Sequence, residues 1–87
     1  MPSNTDRSTT ISPFTLAICE YIRAETQRKK IRQTQLGEVV GKSQGYVSDR
    51  LLSKKAWTTQ DLDAIAKALG YANGWGLLSE IQGVHGN

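Results

Sequence analysis

The chain predicts an all-α fold, a compact bundle of five helices, and three observations carry that prediction. Apolar residues recur at three- and four-residue spacing between Phe14 and Ile81, and no stretch alternates as a half-buried strand would. Helix-starting signals precede the periodic stretches at Ser12-Pro13, Ser43 and Thr58. Gly41 and Gly70 follow the last periodic residue of two of them, where a helix ends in left-handed backbone.

Residues 1–11 are mostly polar and read as a flexible N-terminal arm. The folded domain spans 12–82. Its first helix opens at Ser12-Pro13, since serine caps well and proline suits a position whose N–H has no partner anyway. Ile11 and Leu16 occupy the positions of a hydrophobic staple. Phe14, Ala17, Ile18, Tyr21 and Ile22 form the expected buried stripe, and the helix ends near Arg28-Lys29-Lys30, cations that suit the negative end of its dipole.

A second helix over about 33–40 buries Leu36 and Val40, with Val39 flanking, and Gly37 on the same face allows close approach. Gly41 makes the turn. Ser43 caps a third helix over about 44–53, which buries Val47, Leu51 and Leu52 and exposes Gln44, Gly45, Ser48 and Asp49. Thr58 with Asp61 resembles a capping box for the fourth helix, with Trp57 and Leu62 as its staple. Leu62, Ile65, Ala66 and Leu69 are its core stripe. A fifth helix over about 74–82 carries Trp75, Leu78 and Ile81 on one face, though Gly74 and Gly76 weaken it. Residues 83–87 read as a flexible tail.

At 87 residues one small core is possible, and a deep enclosed active site is not expected. Composition is 38% hydrophobic and 22% charged, with a mean hydropathy of −0.44. No run approaches the ~18 apolar residues of a membrane span, and residues 1–12 lack the apolar core of a signal peptide. A single cysteine, Cys19, beside core positions Ile18 and Ile22, reads as an inert packing residue and suits a reducing cytoplasm. His85 is the only histidine, so neither a Cys–His nucleophile nor a metal site is expected. Asp61 and Asp63 belong to the cap and exposed face of the fourth helix, and no glycine-rich phosphate loop is present. No catalysis, metal, cofactor or small-molecule substrate is expected.

Charge is unevenly placed. From Arg28 to Lys55 eight bases meet two acids, a net +6, whereas the rest of the chain carries three bases and six acids, a net −3. A basic cluster is often only a solvated surface. Here it coincides with residues 33–52, two short helices about a tight turn, the shape that holds one helix out to enter a DNA groove.

These residues resemble the helix-turn-helix domain of the lambda repressor, Cro and XRE-type regulators. The likeness covers residues 14–82: Ile31 before Gln33, then Leu36, Gly37 and Gly41, Ser43-Gln44 opening the third helix, Val47-Ser48, and LDAIAKALGY at 62–71. The segment RLLSKKAWTTQDLDAIAKALG is especially similar to regulators of actinobacteria and their phages. The resemblance implies a five-helix bundle that binds double-stranded DNA. It implies that Gln33 touches a phosphate and braces Gln44, and that Gln44 reads a base, adenine being the apt choice through its N6 and N7 edge. Gly45, Ser48 and Asp49 match positions that face base edges, and Lys54 and Lys55 match positions at the backbone or groove edge. Ser43 caps the reading helix at its DNA-facing start.

Departures from the family pattern are specific to this chain. Arg32 stands where a Ser or Thr cap is usual, so the second helix loses a side-chain cap and gains a phosphate-seeking charge. Lys42 occupies a usually apolar turn position, where its stem covers the core and its head reaches solvent or DNA. Arg50 fits either a backbone contact or an ion pair, Glu38 being one partner. Asp49 fits either acceptance from cytosine N4 or a solvated acid that trims non-specific affinity. Tyr46 fits a phosphate or thymine-methyl contact, or packing against the second helix. Arg7, the arm's one base, stands beside Asp6, which is little for a minor-groove arm.

The expectation is therefore a sequence-specific transcriptional regulator, a phage- or prophage-type repressor in the cytoplasm of a bacterial or phage-infected cell. It would be nucleoid-associated and dimeric through the C-terminal helix, on a pseudo-palindromic operator. The competing expectation is an antitoxin or protein-interaction adaptor of the same fold. An adaptor should lack the basic face and show a broad apolar patch.

Overall fold

The computed structural model describes residues 11–85, which form five helices and no strand. The arm expected at 1–11 lies, apart from Ile11, outside the described residues, as do Gly86 and Asn87. The helices are α1 (Pro13–Arg28), α2 (Gln33–Val40), α3 (Gln44–Leu51), α4 (Thr59–Ala68) and α5 (Gly74–His85). α4 packs on α5 and α2, α3 on α2 and α1, and α1 on α5, so the chain closes around one core. Among the described residues no helix is long and apolar enough to cross a membrane.

Three helix starts, those of α1, α3 and α4, are built from the residues their sequence signals name. The Ser12 hydroxyl accepts from Thr15 N at 3.1 Å ahead of Pro13, and the Ser43 hydroxyl accepts from Tyr46 N at 3.2 Å. Thr58 and Asp61 make the full reciprocal box: Asp61 N donates to Thr58 Oγ1 at 3.0 Å, and Thr58 N donates to Asp61 Oδ2 at 3.3 Å. Arg32 supplies no side-chain cap to α2. Gln35 supplies the other half of a box instead, its Oε1 accepting from Arg32 N at 2.8 Å. The glycines of α5 are offset by two caps: Asn73 Oδ1 accepts from Gly76 N at 3.1 Å, and Asp63 Oδ1 accepts from Gly74 N at 2.9 Å.

Helix ends explain the boundary shifts. α3 stops at Leu51, two residues short of the expected 53, because Ser53 adopts φ 62° and the Lys54 amide bonds back to Asp49 O at 2.8 Å. α1 ends in the same way at Lys30 (φ 60°), with Ile31 N on Thr26 O at 2.8 Å. α5 runs to His85, so Gly83–His85 belong to the helix where a tail was expected.

The core consists of Ile18, Cys19 and Ile22 from α1, Leu36 from α2, Val47 and Leu51 from α3, and Trp57 ahead of α4. Leu62, Ile65, Ala66 and Leu69 join it from α4 and its C-cap, with Leu77 and Ile81 from α5. Burial of each large aliphatic side chain here is worth about 1.5–3 kcal/mol. Three core assignments from periodicity are corrected. Phe14 is 67% exposed, because the stripe of α1 turns onto Ile18, Cys19, Ile22 and Thr26. Leu52 is 48% exposed, since it caps α3 and lies past its last helical turn. Leu77 rather than Leu78 closes the core from α5, with Leu78 only half-buried.

Candidate nucleic-acid interface

α2 and α3 are joined by Gly41-Lys42-Ser43, and the geometry of that turn depends on two glycines. Gly41 takes φ 70°, left-handed backbone that glycine adopts at no steric cost. Gly37 lies against the turn: a Cβ built there would stand 2.8 Å from the Lys42 carbonyl oxygen. The Lys42 amide in turn donates to Gly37 O at 2.9 Å. The turn therefore closes on the body of α2, and α3 leaves it with its first turn, Gln44 and Gly45, exposed.

Gln44 is braced. Its Nε2 donates to Gln33 Oε1 at 3.3 Å, joining the first residues of the two helices. The pair leaves the Gln44 Oε1 acceptor and a second Nε2 hydrogen for a ligand. Ser48 and Asp49, one turn further along α3, are half-buried. Asp49 holds a cation: Lys55 Nζ lies 3.7 Å from its Oδ2.

Cationic residues flank α2 and α3 along the chain, and most are free of acids. Among the described residues, Lys29, Lys30, Arg32, Lys42, Arg50 and Lys54 have no ion-pair partner. Arg28 is the exception besides Lys55. It grips Glu25 with Nη2 on Oε1 at 2.9 Å and Nε on Oε2 at 3.2 Å, and these bonds hold the Glu25 carboxyl below its usual range.

Arg50 and Tyr46 depart from what their positions suggested. The Arg50 guanidinium carbon lies 3.5 Å from the centroid of the Tyr46 ring, and Nη1 donates to Tyr46 O at 3.1 Å. No pair with Glu38 forms. The Tyr46 hydroxyl turns toward α4 instead of α2 and donates to Asp61 Oδ2 at 2.5 Å. That bond to a carboxylate, with some burial, holds the phenol proton more tightly than usual and raises its pKa. Lys42 Nζ stands 5.5 Å from the same ring, and Trp57 meets it edge-on at 6.4 Å.

Cys19 has a structural task that packing alone did not suggest. Its thiol reaches Lys55 O at 3.6 Å, tying the segment with Lys54 and Lys55 to α1. Burial pushes the thiol pKa up, so it stays protonated and able to donate. Neither this contact nor the Tyr46–Asp61 bond has a spacing signature, because each joins elements distant in sequence. Among the described residues, no cluster of three His, Cys, Asp or Glu side chains could hold a metal ion.

A second surface stands apart from this one. Trp75 is 81% exposed, Phe14 67% and Val84 59%, and Pro13, Phe14, Ala17, Trp75, Leu78 and Ile81 line a shallow apolar groove between α1 and α5. Compared with known protein families, with curated proteins and with solved structures, the chain matches none.

Proposed function

We propose that the chain is a sequence-specific DNA-binding transcriptional regulator of phage- or prophage-repressor type. It would use α2 and α3 as a helix-turn-helix of the lambda repressor, Cro and XRE kind. The observation that carries this reading is the Gln33–Gln44 amide pair on an exposed helix start, in a stretch of chain whose cations mostly lack acid partners among the described residues. In this reading α3 enters the major groove with Gln44 on an adenine edge, and Gly45, Ser48 and Asp49 facing neighbouring bases. The amides that open α2, with Arg32, Lys42, Arg50, Lys54 and Lys55, take phosphates and set the register. Catalysis and cofactors play no part in it.

The apolar groove at α1 and α5 supports a two-fold contact between copies through the C-terminal helix. A dimer of that kind would read a pseudo-palindrome with half-sites about 34–36 Å apart. The same exposed Trp75 and Phe14 favour the second reading, an antitoxin or adaptor in which a protein partner dominates. Selection of bound sequences from a random DNA pool at two salt concentrations separates the two. A palindromic motif supports the regulator and the dimer. Lack of enrichment, with binding lost entirely at moderate salt, supports the adaptor.

A further inference from the structure

Tyr46 stands on the reading helix, yet its hydroxyl is committed to Asp61 and its ring to Arg50. A tyrosine so engaged has little left to offer a ligand. Arg50 does. Of its five N–H donors, one on Nη1 is taken by Tyr46 O. Nε is buried without an acceptor, whereas Nη2 makes no hydrogen bond and keeps contact with solvent. No carboxylate pairs with the guanidinium among the described residues. A buried donor without an acceptor is unfavourable, so this pose does not optimise Arg50's own hydrogen bonding. It holds a planar, permanently charged fork still on α3, against the Tyr46 ring and with the rest of the side chain half-buried.

We infer that Tyr46 is a positioning residue, its ring holding Arg50 as a pre-aimed phosphate clamp while Asp61 anchors the ring from α4. The inference rests on the DNA-binding reading. It adds that one phosphate contact is built through the core side of α3 and that the fork, more than the charge, supplies it. A guanidinium stacked on an aromatic face loses less freedom on binding than a free side chain, and its paired donors match phosphate oxygens. Asp61 serves twice, since the oxygen that accepts from Tyr46 also accepts from Thr58 N and so is fixed by the N-terminal cap of α4.

The test uses a short random-sequence DNA duplex, because phosphate contacts need no particular sequence. Arg50→Ala should weaken binding about tenfold and lower the salt slope by about one. Arg50→Lys keeps the charge but not the fork, and should lose nearly as much as the alanine variant. Tyr46→Leu should match Arg50→Ala, with the double variant no worse than either, the signature of residues acting as one unit. Arg50→Lys binding like the wild type, or additive losses in the double variant, overturns the inference while leaving the DNA-binding reading intact. Arg50→Lys changes a half-exposed side chain and decides the matter even if Tyr46→Leu does not fold. Failure of the wild-type chain to bind any duplex at low salt sinks the reading itself, and this inference with it.

Discussion

Gln44 donates its side-chain amide to Gln33 Oε1 at 3.3 Å, so the first residues of α2 and α3 hold each other across the turn. An amide fixed by one bond presents its remaining donor and acceptor in a set direction, which is what bidentate reading of a base edge requires. Gln44→Ala should therefore cost about 1–3 kcal/mol on the selected sequence and relax preference at one base pair. Gln33→Ala should relax the same position by a smaller amount, because it frees Gln44 without removing it. Competition binding against single-base variants of the site measures both. Equal loss on every sequence for Gln44→Ala contradicts the proposal that it reads a base.

Lys54 and Lys55 are adjacent in sequence and differ in their surroundings. Lys55 lies 3.7 Å from Asp49, whereas Lys54 has no acid partner among the described residues. Lys54→Ala should weaken all sequences nearly equally and lower the salt slope by about 0.9. Lys55→Ala should change it less, because part of that charge already faces a carboxylate. Asp49→Asn should raise affinity for random duplex by releasing Lys55 and removing a charge that phosphates repel. Titrations at several salt concentrations read all three slopes.

Helix identity and capping were legible because they depend on neighbours in the chain. Ser12-Pro13, Ser43 and Thr58 each cap the helix they precede, and Gly41 takes the left-handed turn its position implied. What could not be read depends on rotation and on distant partners. Whether Leu77 or Leu78 enters the core turns on the angle at which α5 meets α1 and α4, and both fit a helical stripe. Lys30 and Ser53 end their helices in left-handed backbone that neither residue type advertises. Likewise, nothing near Tyr46 announces Asp61, fifteen positions away and already engaged in the cap of its own helix.

Lys30 offers a way to separate stability from binding. Its φ of 60° is strained for a residue with a Cβ, and glycine relieves that strain. Lys30→Gly should stabilise the fold by about 0.5–1 kcal/mol, read as a rise of a few degrees in Tm. It also removes a cation that has no ion-pair partner among the described residues, so on the proposed reading DNA affinity should fall while stability rises. Ser53→Gly, which changes no charge, should give a comparable gain in Tm and leave the salt slope unchanged. Loss of stability in both variants would contradict the strain argument.

Gly37 tests whether the close approach at the turn is essential. A methyl group there meets a backbone carbonyl at 2.8 Å, and backbone cannot swing aside as a flexible side chain can. Gly37→Ala should therefore destabilise the domain by about 1–3 kcal/mol in chemical denaturation. The displaced element is the turn between α2 and α3, so base preference should blur in whatever fraction stays folded. Unchanged stability would mean that the turn relaxes freely.

Asp63 gives the fold a dependence on acid that can be predicted in sign. The Gly74 amide donates to its carboxylate at 2.9 Å and Lys67 stands 3.2 Å away, and these contacts hold the group below its ordinary value of 3.8. The folded chain thus prefers the charged form. The stability this contributes is complete above the unfolded value and declines as pH falls through the lower folded value, so the window lies below about pH 4. Asp63→Asn retains an acceptor for Gly74 N but cannot titrate. It should lower Tm slightly at pH 7 and make the decline in Tm below about pH 4 shallower than in the parent chain. Because the Asp63 bond caps the start of α5, protection of the Gly74 amide, measured as its exchange rate relative to the intrinsic rate at the same pH, should fall in acid in the parent and change little in the variant. An acid decline equally steep in both would place the responsible carboxylate elsewhere, with Glu25 beside Arg28 the next candidate.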